Sequence, residues 1–265
     1  MRALALIVAC LAMASPLAAC PVREQPVDVE IYPTARVLPS NLLRMYIYFP
    51  RAMGLGEIWQ HVALLDASGT PVTGAFLENR VDLWSPDRRR LTLLLNPGRV
   101  KTNLAAHDAL GRALEDGERY ALRVGATLPD AEGCPLGEEV VFQFMAGAAD
   151  MDRPRPGAWV LTRPALGTRE PLAVDLGSAH DHLSLAYRLR VHDSGGAVVP
   201  GAIDLGPDEA SWKFVPSAPW QAGDYALSID ERLEDLAGNR PGGLFDRPIG
   251  AASPAWQSTL SWRPR

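Results

Sequence analysis

Residues 117–133 read GERYALRVGATLPDAEG, and residues 223–238 read GDYALSIDERLEDLAG. In each stretch a Gly precedes a Tyr, apolar residues then alternate, and an Asp opens D-x-x-G. Tyr120 to Asp130 and Tyr225 to Asp235 have the same spacing. Alternation puts Tyr120, Leu122 and Val124 on one face of a strand and Ala121 and Arg123 on the other, the mark of a half-buried strand. The Asp and Gly that follow are turn residues, one accepting backbone N–H groups and the other tolerating positive φ. One structural unit is therefore present twice.

Working outward, Met45, Ile47 and Phe49 alternate with Arg44, Tyr46 and Tyr48, which predicts a strand with one buried face. His61–Leu65 is a second strand, running into the turn Asp66-Ala67-Ser68-Gly69 and back along Val72–Phe76 as a hairpin. Strands follow at Val81–Trp84, Leu91–Leu95, Tyr120–Val124 and Val140–Phe144. Residues 97–114 read as a long loop with a short helix at most. In the second copy Leu172, Val174 and Leu176 alternate. So do Leu185, Tyr187, Leu189 and Val191, the clearest alternation in the chain. Asp193-Ser194-Gly195-Gly196 repeats the earlier turn, and GTPVTGA from Gly69 returns as GAVVPGA from Gly196. Trp212–Phe214, Tyr225–Ile229 and Ser258–Trp262 complete the set. Short strands with frequent turn signals predict an all-β fold of two tandem Ig-like antiparallel β-sandwiches.

The 265 residues suffice for two ordinary domains, and 22% charged with 47% hydrophobic residues is a globular balance. The net charge of −5 leaves no domain-wide basic face, so nucleic acid is not an expected partner. Arg2 and the uncharged stretch Ala3–Ala19 read as a targeting segment rather than as structure. It ends Leu17-Ala18-Ala19-Cys20, which resembles the lipobox of bacterial lipoprotein signal peptides. The resemblance implies cleavage before Cys20, a lipid on Cys20, and attachment to the membrane through that lipid. Pro21, in place of the Asp that marks inner-membrane retention in enteric bacteria, favours the outer membrane, with the protein facing the periplasm. Ordinary secretory cleavage after Ala19, giving a soluble periplasmic or secreted protein, is the alternative. The expected layout is a signal peptide over 1–19, a tether over 20–33, a first sandwich over 34–146, a linker over 147–157 and a more divergent second sandwich over 158–265.

Three cysteines are present. Cys10 lies in the targeting segment. A lipid on Cys20 leaves Cys134 as the remaining thiol. Without the lipid a Cys20–Cys134 bridge is conceivable in an oxidising compartment, but it is not expected, because Cys20 sits on the tether.

The order Phe49-Pro50-Arg51-Ala52-Met53, Leu65-Asp66-x-x-Gly69, Leu91–Leu95, Gly117-x-x-Tyr120 and Asp130-Ala131-x-Gly133-x-Pro135-Leu136 resembles the bacterial Ig-like domains of the SbsA type. Asp235-Leu236-Ala237-Gly238-Asn239 carries the family's closing D-x-x-G-N in full; the first copy has Cys134 in place of the Asn, and the Pro of the first motif is shifted. The resemblance implies a seven-stranded sandwich used as a spacer, stalk or binding module on envelope proteins, usually without catalysis.

Residues that could carry chemistry are few. His180-Asp181-His182 could share a face and hold a metal with one more carboxylate, but the segment reads as a turn with a solvent-exposed His pair. Asp130 and Asp235 are the weak metal candidates: with Glu132 and Glu234 they invite a calcium reading, while the simpler reading is a pair of Asp-capped turns. No G-x-S-x-G, phosphate loop or carboxylate dyad is found, so neither an enzyme nor a cofactor is expected. Arg88-Arg89-Arg90 is a basic hairpin tip, either solvated or in contact with an anionic surface. Among the Trp residues, Trp84, Trp212 and Trp220 fit core positions, and Trp59, Trp159, Trp256 and Trp262 lie near element ends; an exposed glycan platform is the lesser reading. The expectation is a non-catalytic envelope module for structure or protein interaction, whose partner is an envelope protein or cell-surface polymer. The alternative is a ligand-binding accessory protein for polysaccharide or calcium.

Overall fold

The computed structural model describes residues 20, 27–78, 82–101, 111–246 and 253–265. The expected targeting segment, Val81 and residues 102–110 lie outside these. The fold is all-β. In chain order the N-terminal half holds β1 (Glu30–Tyr32), β2 (Val37–Pro39), β3 (Arg44–Tyr48), β4 (Val62–Leu65), β5 (Leu83–Trp84), β6 (Arg90–Leu94), β7 (Arg119–Val124) and β8 (Val140–Gly147). They form two sheets, ordered β1-β3-β6-β5 and β2-β8-β7-β4, antiparallel except for β2 on β8. The C-terminal half holds β9 (Val160–Thr162), β10 (Leu172–Asp175), β11 (Leu189–His192), β12 (Gly201–Leu205), β13 (Ser211–Pro216), β14 (Tyr225–Ile229) and β15 (Thr259–Trp262). Its sheets run β12-β13-β10-β9 and β11-β14-β15. The first repeats β5-β6-β3-β1 and the second repeats β4-β7-β8, so the internal repeat extends to strand order.

The two quoted stretches become β7 and β14, each central in its sheet. Tyr120, Leu122 and Val124 are buried, as are Tyr225, Leu227 and Ile229. The recurrent Tyr has a mechanical reason. The Tyr120 hydroxyl accepts from the Glu115 N–H (2.8 Å), and the Tyr225 hydroxyl accepts from the Gln221 N–H (3.1 Å), pinning the loop that enters each strand. The turns repeat as well. Asp66 Oδ1 accepts from the N–H groups of Ser68 and Thr70, and Asp193 Oδ1 from those of Gly195 and Ala197, all at 2.9 Å. Gly69 and Gly196 share a φ of 82°, which a side chain would resist.

Each half has its own apolar cluster. Met45, Ile47, Leu91, Leu93 and Leu122 belong to the first; Trp212, Trp220, Val174 and Leu227 belong to the second. Leu236, from the second D-x-x-G turn, crosses over and packs into the first cluster.

Three expectations are corrected. The tether ends early: β1 pairs with β3 and buries Ile31, so Glu30–Tyr32 is an edge strand. The alternation over Leu185–Val191 is not one strand. His182–Arg188 is a helix (α2), and only Leu189–His192 is extended. Asp181 caps the helix, its Oδ1 accepting from the Ser184 N–H at 2.8 Å. Leu, Ala and Arg then fill it with good helix formers. The hairpin over 61–76 is a single bridge, Leu65 to Pro71, after which Phe76 bridges to Leu95 in the opposite sheet. The linker is tied to both halves: Asn41 exchanges two 2.8 Å hydrogen bonds with the Asp150 backbone, and Asn239 donates to the carbonyls of Asp150 (3.1 Å) and Asp152 (3.0 Å).

Of the 97–114 loop, Pro97–Val100 is a single helical turn, α1, capped by Asn96, whose side chain accepts from the Gly98 N–H. Arg99 is buried and donates to the carbonyls of Thr73, Gly111 and Arg112 (2.8, 3.0 and 2.7 Å), which clamps the two ends of the loop together.

Candidate functional site: the cleft between the sandwiches

The second face of β3 is the starting point. Its alternation sends Arg44, Tyr46 and Tyr48 away from the first core, and the sequence reading left that face open. Instead the C-terminal sandwich covers it. Tyr46 is 1% exposed, and its hydroxyl donates to Asp181 Oδ2 at 2.7 Å. Arg44 pairs with Glu234 (2.7 Å) and lies 3.7 Å from Asp181. Arg240 closes on the other oxygen of Glu234 through Nε (2.9 Å) and Nη2 (2.6 Å). The Asp181 N–H donates to the Glu234 carbonyl, and the Glu234 N–H to the Ser184 hydroxyl. The carboxylates of this floor are therefore saturated, as buried charges must be.

The electrostatics follow from the burial. Burial, with the Asp181 charge behind it, holds the Tyr46 hydroxyl protonated far above the ordinary phenol range. Burial pulls the Arg44 guanidinium down, but Asp181, Tyr46 and Glu234 outweigh it and keep Arg44 firmly charged. Beside the floor, the Tyr32 ring lies over His182, centroids 3.7 Å apart, and Tyr48 meets His182 at 5.6 Å. Thr34 donates its N–H (2.9 Å) and its hydroxyl (3.2 Å) to Glu209. Glu209 is itself buried, and Thr34 is one of its anchors across the seam.

Above this floor opens a cleft of about 990 Å³. One wall is β3 and the β5–β6 hairpin tip; the other is α2 and the loop leading to Arg240. Six arginines and three carboxylates line it. Thus the Arg88–Arg90 tip is not merely a solvated turn, since Arg89 and Arg90 stand on the rim of the cleft.

The other sequence candidates fall elsewhere. His180 and His182 are not an exposed pair. His180 is fully buried beside Trp159 (ring centroids 5.6 Å) and its Nδ1 faces the Ser178 carbonyl at 2.9 Å. Burial depresses its pKa to about 4. Asp130 and Asp235 each serve their own turn. Asp130 Oδ1 accepts from the N–H groups of Glu132 (3.0 Å) and Cys134 (2.8 Å), and Oδ2 accepts from Arg51 Nε (2.7 Å). Burial pushes the Asp130 carboxyl up, but the Cys134 N–H and Arg51 outweigh it and leave it below its ordinary value. Asp235 Oδ1 accepts from Ala237 and Asn239, both at 2.9 Å. Burial, with Asp150 nearby, raises it to about 8. Among the described residues no three His, Cys, Asp or Glu side chains cluster as a metal site. Trp159, Trp212, Trp220 and Trp262 are buried, and no Trp is among the exposed apolar side chains, so the platform reading fails for the tryptophans.

Cys20 departs most from expectation. It is bonded to Cys134, Cα to Cα 5.5 Å, across a sequence separation of 114. The tether was the argument against this bridge, yet the lead from Cys20 to Glu30 can reach ~34 Å when extended. The Asp130 turn holds Cys134 in place within that range.

The seam had a faint sequence signal: two tyrosines and an arginine on the supposedly wet face of β3. Glu234 and Arg240 flank the repeated D-x-x-G, where the turn alone drew attention.

Neither a protein family nor a curated protein matches the chain. Solved structures do. The MG0-NIE-MG1 segment of native Escherichia coli alpha-2-macroglobulin matches with 10% identity and a TM-score of 0.28, over 76% of this chain and 66% of that one. The native conformation of the same E. coli protein matches with 10% identity and a TM-score of 0.29, over 77% and 13%. The N-terminal Ig1-2 module of the Drosophila receptor protein tyrosine phosphatase DLAR matches with 13% identity and a TM-score of 0.25, over 78% and 91%. Likenesses this distant carry no argument about activity; the Ig-like, all-β description stands on the chain's own strand order and paired sheets.

Proposed function

We propose that the chain is a non-catalytic cell-envelope lipoprotein. Residues 1–19 export it, a lipid on Cys20 anchors it to the outer membrane facing the periplasm, and its two SbsA-type Ig-like sandwiches act as a structural or protein-interaction module. The observation that carries the reading is the seam. Its buried carboxylates, Asp181 and Glu234, and the half-buried Arg44 are consumed in fixing one sandwich against the other. A pair of modules held at one angle presents a defined surface, and that is what a spacer or docking protein needs.

Lipid and disulfide compete for one sulfur. The bridge requires the folded Asp130 turn, which is synthesised more than a hundred residues after Cys20. A thiol next to an apolar segment reaches the membrane long before that, so the thioether claims Cys20 first. The bridge is left to chains that escape it. Mass spectrometry of the membrane-extracted protein tests this. We expect an N-terminal peptide that begins at Cys20 with a diacylglycerol thioether, and Cys134 alkylatable after denaturation. A linked Cys20–Cys134 peptide pair, or a mature start elsewhere, overturns the anchor.

A further inference from the structure

We propose that the cleft between the sandwiches binds a linear anionic saccharide, its acidic groups on the rim arginines and its sugar faces against Tyr187 and Tyr48. The proposal deepens the envelope reading, since such polymers are what an envelope protein meets.

Charge is the first argument. The chain carries −5 overall, yet the cleft has twice as many arginines as carboxylates. Those carboxylates are already occupied: Asp181 and Glu234 by Tyr46, Arg44 and Arg240, and Asp87 by the Ser85 hydroxyl (2.5 Å) and the Arg89 N–H (3.2 Å). The cations are under-supplied. Arg188 and Arg232 share one carboxylate, Asp230, at 3.4 and 2.6 Å. Arg89 is exposed beside Asp87, a carboxylate that already holds the Ser85 hydroxyl, while Arg90 reaches the Tyr48 hydroxyl and its buried Nε has no acceptor among the described residues. Guanidinium donors are thus in excess where a ligand would enter.

The type of residue is the second argument. The lining cations are arginines and not lysines. A planar fork matches a carboxylate or sulfate with two parallel hydrogen bonds and is less costly to dehydrate than an ammonium. Tyr187, which the fold gains nothing by exposing, is 59% exposed on the α2 wall. A ring that is apolar on its face and polar at its tip suits a sugar, which is built the same way.

Shape and charge density choose among polyanions. A cleft between two sandwiches admits a single chain and excludes a flat bilayer. Duplex DNA carries a charge every ~1.7 Å and would overrun the cleft onto the rest of a chain whose net charge is −5. A saccharide with one charge per sugar does not.

The test is a titration of the purified chain in solution, without membrane, so that failure of the lipid anchor leaves it unaffected. The probes are fluorescein-labelled oligogalacturonate, dextran sulfate, neutral dextran and phosphatidylglycerol vesicles. We expect saturable binding of oligogalacturonate that weakens with salt, and none of neutral dextran. Arg89→Ala and Tyr187→Ala, both exposed and outside the seam, should each weaken binding about tenfold without moving the melting temperature. Arg89→Lys should recover only part of the loss. Arg163→Ala, on the surface away from the cleft, should change nothing. Binding of dextran sulfate alone, with the same dependence on Arg89, would retain the anionic saccharide and assign the acidic group as sulfate. No saturable binding of either polymer overturns the proposal. So does equal loss from Arg163→Ala, or binding confined to the vesicles.

Discussion

Tyr120 and Tyr225 do the same work in the two copies, and the work is measurable. Each hydroxyl accepts one backbone N–H from the loop before its strand. Phe in either place keeps the ring packing and strands that N–H. Tyr120→Phe and Tyr225→Phe should therefore each cost about 1 kcal/mol in urea unfolding. His180 and Asp235 make a second residue-scale prediction, through protons. His180 titrates near 4 in the fold against an ordinary 6.5, so its neutral form stabilises above pH 6.5, and that contribution is lost as pH falls towards 4. Asp235 titrates near 8 against 3.8, so its protonated form stabilises below about pH 4, and that contribution is lost as pH rises towards 8. Between about 4 and 6.5 the two slopes oppose each other and cancel. From 6.5 to 8 only Asp235 acts, and stability should fall by on the order of 1–2 kcal/mol. Asp235→Asn keeps the acceptor for the Ala237 and Asn239 N–H groups. Its profile should rise from pH 4 to 6.5 and then stay flat. Chemical unfolding across pH 4–8 reads both profiles, and a wild-type curve flat to pH 8 would refute the assignment of Asp235.

At the scale of elements, the sequence was legible wherever one face of a strand met core and the other met water. β6, β7, β8 and β14 follow their alternation because burial is what period two reports. It failed where a second interaction took over. In α2 the residues at 183, 185 and 187 also alternate, but Asp181 caps a helix and the helix formers behind it follow. The informative signal was Asp three residues before Ser184, not the apolar pattern. β12 is almost wholly exposed and β1 is three residues long, so neither has a periodicity to read. The D-x-x-G turn was legible as a turn but not as a joint. Gly238 has a φ of 78°, and a Cβ there would run into the Leu43 side chain of the other sandwich. Gly238→Ala should destabilise by about 1–2 kcal/mol from the backbone conformation alone, with more from the displaced Leu43. Gly133→Ala shares the backbone cost, but nothing lies within 4 Å of its added carbon. The difference between the two in denaturant midpoint measures what the joint adds.

For the whole molecule, the question is whether two sandwiches behave as one body. Relative motion of tandem domains is the default unless the contact between them is large or specific. Here the contact is specific: Leu236 inserts into the first core, the Leu43 N–H donates to the Leu236 carbonyl at 2.9 Å, and the buried Tyr46, Asp181 and Glu234 form a network with the half-buried Arg44 beside it. Such a network is uneven in its energetics. Complete, it adds modest net stability and much orientation; with one partner missing, it leaves a charge buried without its counterpart. Glu234 is the member to remove, since Arg44 and Arg240 both depend on it. The wild type should melt in a single calorimetric transition, the two halves unfolding together. Glu234→Ala should cost about 2 kcal/mol and split that transition in two, because each sandwich keeps its own core while the seam opens. Arg232→Ala, an exposed arginine of the same cleft paired with Asp230 and not with Glu234, should leave one transition. If Glu234→Ala also melts in a single step, the sandwiches are coupled through the apolar contact at Leu236 and not through the ionic floor. The angle at which the cleft is held would then rest on that contact.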